Sequence, residues 1–324
     1  MERSSAYARA SSLRIALTLG ALGAGLTASP CAHAFCRTTT VSVPADYDPT
    51  AGCFTQGDVL WWRNACVGYS IQKNASRQVT LEQAEQGIAT AFAKWTGTAC
   101  RADDAGQSRV SIDVRDEGPV DCSQVQYNQN QPNQHVIVFR DDVWPYDDSN
   151  NTLALTTVTF DPDTGELYDA DMEINSTSAI TLTVSGDVQE GGYDFESVVT
   201  HETGHFLGMA HSPDSRATMF ARYIQGSTSM RNLSEDDVAG ICSAYPPDGT
   251  RTTSVGMPVT EDACDPTPRH GFSTECAQPQ SSCIHLSIGG VPPNGRTALG
   301  AVGLVACAFA IRRRRGTTRR ALDR

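Results

Sequence analysis

The strongest indication of the fold is a stretch of eleven residues, His201-Glu202-Thr203-Gly204-His205-Phe206-Leu207-Gly208-Met209-Ala210-His211. Residues four apart on a helix lie on one face, so His201 and His205 can present their ring nitrogens to one point. Gly208 tolerates the left-handed backbone conformation in which many helices end. The chain can then turn sharply and return His211 to the same point. The stretch therefore predicts a helix, a sharp turn and three converging imidazoles.

Three converging imidazoles favour a catalytic zinc ion, because they leave the fourth tetrahedral position to water. Zinc lowers the pKa of that water to about 7, and a neighbouring carboxylate can take its proton during attack on a carbonyl. Glu202 adjoins the first ligand and is the candidate general base. A chance match to five fixed residues in a chain of this length is on the order of one in ten thousand. We therefore predict zinc at His201, His205 and His211.

Beyond the third histidine, the segment from His211 to Tyr223 resembles the metzincin peptidases, and among them the matrixins. Met219 stands at the Met-turn of that family, an apolar floor beneath the zinc. A buried Met outside such a context is ordinary core. Tyr223 matches the residue that helps to wall the S1′ pocket in matrixins, although Ala221 replaces the usual proline. Leu233–Tyr245 is similar to the matrixin C-terminal helix.

This resemblance covers roughly Cys66 to Tyr245 and implies a zinc-dependent endopeptidase that acts on protein or peptide substrates. It implies an α+β fold with a twisted mixed sheet of about five strands, an active-site helix, a Met-turn and a C-terminal helix. Two features of animal matrixins are missing. No cysteine-switch sequence of the PRCGxPD kind precedes the domain, and His135 is the only histidine between residues 100 and 200, so we predict no structural zinc.

A run of carboxylates lies where matrixins bind calcium. Oxygen ligands at close spacing suit this ion. The same pattern fits a solvated acidic loop and strand edge, and both alternatives remain open. The residues are Asp161, Asp163, Asp169, Asp171 and Glu173.

Hydrophobic periodicity predicts the remaining elements. Thr80 with Gln83 begins a helix that runs to Trp95, and Ser234 with Asp237 begins the last helix. That helix has a predicted buried stripe of Val238, Ile241, Cys242 and Tyr245. Strands are predicted at Cys66–Gln72, Arg109–Arg115, His135–Arg140, Thr152–Phe160, Tyr168–Asn175 and Ile180–Val184. The strand Thr152–Phe160 is the candidate edge of the substrate cleft, where an extended chain could add as a further strand.

Both ends of the sequence indicate export. Arg3, Arg9 and Arg14 precede an apolar run, and Ala32-His33-Ala34 is a small-x-small cleavage site, which predicts a mature chain from Phe35. The chain divides into a signal peptide (1–34), an irregular segment (35–65), a peptidase-like domain (66–247), a Cys- and Pro-rich linker or stalk (248–297) and an apolar helix with an Arg-rich tail (298–324). Residues 35 to 295 include 14 basic and 35 acidic side chains, which gives this part of the chain a net charge of −21. This charge excludes nucleic acid as a partner.

In the tail, the apolar stretch Ala298–Ile311 is followed by four arginines and obeys the positive-inside rule. It resembles the C-terminal sorting segments of myxobacterial surface proteins, with Cys283 as the processed cysteine. The expected location is therefore the cell surface or the medium, with membrane contact only through the tail. The sequence does not determine the oligomeric state.

Of the eleven cysteines, Cys31 leaves with the signal peptide and Cys307 lies in the apolar tail. If Cys283 is processed, eight are left, which permits four disulfides. Export makes disulfides the expected role of these residues.

Two other functions remain as alternatives: a surface-anchored binding module without catalysis, and a zinc hydrolase that acts on other bonds. The intact Glu202 argues against the binding module, because binding needs no general base.

Overall fold

The computed structural model describes residues 35–100, 108–247, 265–277 and 318–321. The predicted signal peptide, Cys283 and the apolar stretch Ala298–Ile311 lie outside the described residues. In chain order the elements are β1 (Cys36–Arg37), β2 (Cys66–Ile71), α1 (Leu81–Thr96), β3 (Ala99–Cys100), β4 (Ser108–Arg109), β5 (Asp113–Asp116), β6 (Val136–Arg140), β7 (Ala154–Phe160), β8 (Leu167–Asn175), β9 (Leu182–Thr183), β10 (Tyr193–Asp194), α2 (Phe195–Phe206), β11 (Met209–Ala210), a 3-10 turn (Ser229–Arg231), α3 (Glu235–Ala244) and β12 (Thr318–Ala321).

The central sheet is mixed, as the sequence predicts. Its strand order is β12-β7-β8-β6-β2-β5. The pairs β2 with β5, β2 with β6 and β6 with β8 are parallel, whereas β7 runs antiparallel to β8. The predicted five strands are β2, β5, β6, β7 and β8, and the short β12 lies antiparallel along the outer edge of β7.

The first helix begins where its sequence signals place it. The Thr80 side chain accepts from the backbone of Gln83 and the Gln83 side chain accepts from the backbone of Thr80, which forms a capping box. The buried face of α1 packs against α2, and its Trp95 ring donates to the backbone oxygen of Thr200 at 2.9 Å. This face consists of Ala84, Ile88, Ala91, Phe92 and Trp95. The helix thereby supports the element that carries two of the predicted metal ligands.

Two expected strands differ from the sequence prediction. The strand expected over Arg109–Arg115 divides into β4 and β5, because Val110 N–H donates to Thr98 O and Ser111 N–H donates to Tyr245 O, both at 3.1 Å. These two donors are therefore not available to a sheet neighbour. The strand expected over Ile180–Val184 is reduced to the two residues of β9, which pair in parallel with β10.

The last helix has its predicted capping box but a different buried face. Val238 and Cys242 are only half-buried, whereas Asp236 and Asp237 are buried. Ile241 and Tyr245 are fully buried, as predicted. The two aspartates can be buried because their carboxylates accept hydrogen bonds. Asp236 accepts from the hydroxyl of Ser212, and Asp237 accepts from the N–H groups of Thr218 and Met219.

The described cysteines form disulfides, two of which join residues 142 and 154 positions apart, and this confirms the expected role of the cysteines. The described pairs are Cys36–Cys53, Cys100–Cys242 and Cys122–Cys276, and Cys66 is disulfide-bonded as well. Cys276 belongs to the segment expected as a linker or stalk. Residues 265–277 pack on the outer face of the sheet, where Phe272 contacts the buried cluster that contains Val120 and Val136. Within the described residues, no helix combines the length and apolar character needed to cross a bilayer.

Candidate active site

Helix α2 presents two of the three predicted metal ligands. Asp194 caps the helix by accepting from Ser197 N–H at 2.9 Å, and Gly208 follows its end with a φ of 87°. A Cβ at Gly208 would lie 2.7 Å from the backbone oxygen of Leu60, so both the conformation and the space require glycine. The reversal at this glycine returns His211 toward the helix.

The three imidazoles converge as the sequence predicts. The Nε2 atom of His205 lies 3.1 Å from that of His201 and 3.2 Å from that of His211. His201 and His205 are 7% and 1% exposed, and His211 is half-buried. Among the described residues, no other group of three His, Cys, Asp or Glu side chains comes within ligand distance.

The hydrogen bonds of the rings fit a metal ion. The Nδ1 atom of His201 lies 2.7 Å from Thr218 O, and that of His205 lies 2.9 Å from Met209 O. A carbonyl oxygen only accepts, so each Nδ1 carries a proton, and in a neutral ring the Nε2 then presents a lone pair. Lone pairs at this separation repel one another unless a cation lies between them. Neutral imidazoles oriented by backbone carbonyls are typical zinc ligands.

Glu202 lies on the helix between the first two ligands and is 2% exposed. Its Oε2 atom accepts a hydrogen bond from Thr156 Oγ1 on β7 at 2.6 Å. Glu202 and His201 both line a cavity of about 220 Å³. A carboxylate in this position can accept a proton from a molecule held in the cavity.

Met219 is buried beneath the helix. A Cβ at Gly204 would collide with the sulfur of Met219, so the close approach of this side chain requires glycine. Asp237 holds the turn by accepting from the N–H groups of Thr218 and Met219 at 2.7 and 3.0 Å. The same turn presents the carbonyl oxygen of Thr218, which orients the ring of His201.

Tyr223 lines the same cavity, together with Leu153, Val198, Phe220 and Met230. Its hydroxyl accepts from Asp194 N–H at 3.0 Å and donates to Ser227 O. Arg231 donates to both carboxylate oxygens of Asp194, at 2.6 and 2.8 Å. Burial acts to raise the pKa of Asp194, but the hydrogen bonds from Arg231 and Ser197 outweigh it, and the pKa is lowered. The wall of the cavity is thereby fixed to the beginning of the active-site helix.

The five predicted calcium ligands are not brought together. Asp161 closes its own turn by accepting from Asp163 N–H and Tyr168 hydroxyl at 2.9 and 2.6 Å. Glu173 accepts from Arg140 Nε at 2.6 Å and from the hydroxyl of Tyr146.

The other three carboxylates also have surroundings of their own and share no common point. Asp171 accepts from Val136 N–H at 2.8 Å, and Asp163 is exposed. Asp169 is buried 3.9 Å from His135, whose pKa burial lowers to about 4. His135 belongs to no group of three ligand-type side chains among the described residues. Calcium at this segment stays a prediction.

Sequence patterns did not reveal Thr156 or Asp237 as site residues. Thr156 is a polar residue at an inward position of a strand, and such a position indicates a buried hydrogen-bond partner. Asp237 was recognised only as a helix cap, although the same carboxylate also binds the turn at Met219.

Comparisons with known proteins agree with this geometry. The Matrixin family matches residues 61–246. Neutrophil collagenase of Homo sapiens is 29% identical over 220 residues, which cover 67% of this chain and 40% of the collagenase. Matrilysin of Homo sapiens is 37% identical over 115 residues, or 35% of this chain and 38% of matrilysin. Metalloendoproteinase 1 of Glycine max is 45% identical over 65 residues, or 19% of this chain and 21% of that protein. The chain thus spans well under half the length of these relatives.

Proposed function

The chain belongs to the matrixin family, and from that membership we propose that it is a zinc-dependent endopeptidase. The observation that supports the proposal most directly is the convergence of three Nε2 atoms beside Glu202, which lines one cavity together with His201. A site for metal binding alone needs no carboxylate beside its ligands.

In this proposal His201, His205 and His211 hold zinc through Nε2, and the carbonyl oxygens of Thr218 and Met209 keep two of the rings oriented. When bound, zinc lowers the pKa of water to about 7 and polarises the substrate carbonyl. Glu202 accepts a proton from the attacking water while the oxygen of that water bonds to the carbonyl carbon. The same carboxyl group then delivers the proton to the amide nitrogen as the C–N bond breaks.

The substrate would lie along the edge of β7 as an extended chain, because a strand edge supplies unpaired backbone groups. The adjoining cavity of about 220 Å³ would take one side chain and act as the S1′ pocket. Leu153, Val198 and Tyr223 form an apolar wall, so we expect a preference for an apolar side chain. Met219 would serve as the Met-turn floor of this site.

We also propose export to the cell surface or the medium. The signal-like N-terminus, the disulfides and the net acidic charge support this location. Processing at Cys283 would remove the Arg-rich tail together with β12. Because β12 pairs along β7, processing would also expose the edge proposed for the substrate. The intact mass of the exported protein tests this, since a chain that runs from Phe35 to Arg324 would contradict processing.

Digestion of casein and of a quenched fluorescent peptide tests the proposed activity. We expect hydrolysis that a zinc chelator abolishes and added zinc restores. Zinc binding without hydrolysis of either substrate would indicate the binding module. Zinc-dependent hydrolysis of model esters, without any digestion of casein, would indicate a hydrolase of another class.

A further inference from the structure

One polar side chain interrupts the inward face of β7. Ala154, Val158 and Phe160 on this face belong to the main hydrophobic core, and Thr156 stands between them. Thr156 is 0% exposed. A buried hydroxyl without a hydrogen bond destabilises the folded state, so this threonine needs a partner.

That partner is Glu202. Thr156 Oγ1 lies 2.6 Å from Glu202 Oε2 and 3.4 Å from the backbone oxygen of the same residue. A hydroxyl has one proton to donate, and a carboxylate oxygen at the shorter distance is the stronger acceptor. Thr156 therefore donates its proton to Oε2.

The two residues of this hydrogen bond lie on regular elements, but their side chains differ in freedom. Thr156 pairs with Met172 in the ladder between β7 and β8, and its β-branched side chain has a restricted χ1. Glu202 lies within α2, but the last torsion of a Glu side chain is broad and soft. The hydrogen bond from Thr156 restrains this torsion, which the helical backbone does not determine.

We propose that Thr156 is a positioning residue for Glu202, which fixes the plane of the carboxylate so that it meets the attacking water in one orientation. The inference rests on the proposed function for its catalytic consequence. Misplacement of a reacting group by about 1 Å can lower a rate by roughly 100-fold. Loss of the hydroxyl should therefore lower kcat and leave substrate binding nearly unchanged.

Three variants of the exported protein, compared with the parent purified in the same way, test the proposal. Thr156→Val removes the hydroxyl at constant shape, and Thr156→Ser retains the hydroxyl. Thr90→Val on α1 is the control, because this threonine is exposed outside the site and its hydroxyl donates to the backbone oxygen of Gln86 in its own helix. We expect Thr156→Val to lower kcat on a fluorescent peptide by roughly 10- to 100-fold with KM within about twofold. Zinc content should be unchanged, and Thr156→Ser should restore kcat to within about threefold of the parent.

Crystal structures of the metal-free parent and Thr156→Val provide a readout that does not depend on activity. We expect the Glu202 carboxylate to have one conformation in the parent and to rotate or divide between conformers in the variant. An unmoved carboxylate together with an unchanged kcat would overturn the inference. A rotated carboxylate in a protein whose parent hydrolyses no peptide would retain the positioning role and reject the proposed function. A lower melting temperature with no rescue by serine would assign Thr156 a structural role only and would also overturn the inference.

Discussion

The histidine centre and the acidic strand β8 both carry ligand-type side chains at close spacing, but their polar atoms have opposite arrangements. At the centre, His201 and His205 direct their protons to backbone carbonyls and their lone pairs toward one another. On β8, Asp171 and Glu173 each accept from a protein donor. Acceptors that face one another need a cation, whereas acceptors with donors do not.

Backbone geometry explains the difference. Residues four apart on a helix lie one above the other, and the turn at Gly208 supplies the third ligand. On a strand, successive side chains of one face are about 6.6 Å apart. Oxygen ligands of one calcium ion lie within about 5 Å of each other, given their bond lengths of roughly 2.4 Å. Close spacing in the sequence therefore predicts a metal site more reliably on a helix than along one strand.

The largest effect should follow loss of a ligand. We expect His205→Ala to lose both zinc and peptidase activity, because two imidazoles bind the ion too weakly to hold it. Zinc content by atomic absorption and hydrolysis of a fluorescent peptide measure the two losses. His270→Ala, which removes an exposed imidazole, is the control and should keep both. If His205→Ala retains stoichiometric zinc, the ligand set is wrong.

Loss of the general base should affect activity alone. We expect Glu202→Gln to lower kcat by roughly 10²- to 10⁴-fold while zinc stays at about one ion per chain. The reason is that the carboxylate accepts a proton and is not a ligand. Glu190→Gln removes an exposed carboxylate outside the site and serves as the control. Full activity in Glu202→Gln would contradict the mechanism.

Much of the centre could be predicted because its information is local. The caps of α1 and α3, the end of α2 near Gly208 and the three ligands each follow from a few neighbouring residues. The division of the strand at Val110 depends on a hydrogen bond to Thr98, across the segment of residues 101–107. Thr156 and Glu202 are 46 residues apart in sequence. Such pairings depend on the assembled fold, so a single sequence does not reveal them.

The carboxylates of β8 should contribute to stability through protein partners. Breaking a buried ion pair destabilises a protein by about 3–5 kcal/mol, and the 23% exposure of Arg140 reduces this estimate. We expect Glu173→Gln to lower the free energy of unfolding by about 2–3 kcal/mol with zinc present. Denaturant unfolding measures this loss. Asp163→Asn, an exposed change in the same segment, should stay within about 0.5 kcal/mol of the parent.

The same variant separates the two interpretations of β8. If Glu173 stabilises the fold through Arg140, the loss in Glu173→Gln is equal with and without calcium. A loss that disappears when calcium is removed from both proteins would instead make Glu173 a calcium ligand. In that case β8, like the histidine centre, would bind a metal ion.

The smallest effect should come from calcium itself. The sequence predicts calcium-dependent stability over Asp161–Glu173, but the carboxylates there already accept internal hydrogen bonds. An ion would have to displace these donors, so we expect only weak binding, with a Kd of about 1 mM. Binding at such a site stabilises the folded state by roughly 0.4 kcal/mol at 1 mM calcium, because the gain is RT ln(1 + [L]/Kd). Thermal melts in a calcium-selective chelator, with zinc resupplied, should therefore show a small decrease in Tm relative to 1 mM calcium. No decrease would mean that these carboxylates bind protein donors and no calcium, and a decrease of many degrees would show that they rearrange around a strongly bound ion.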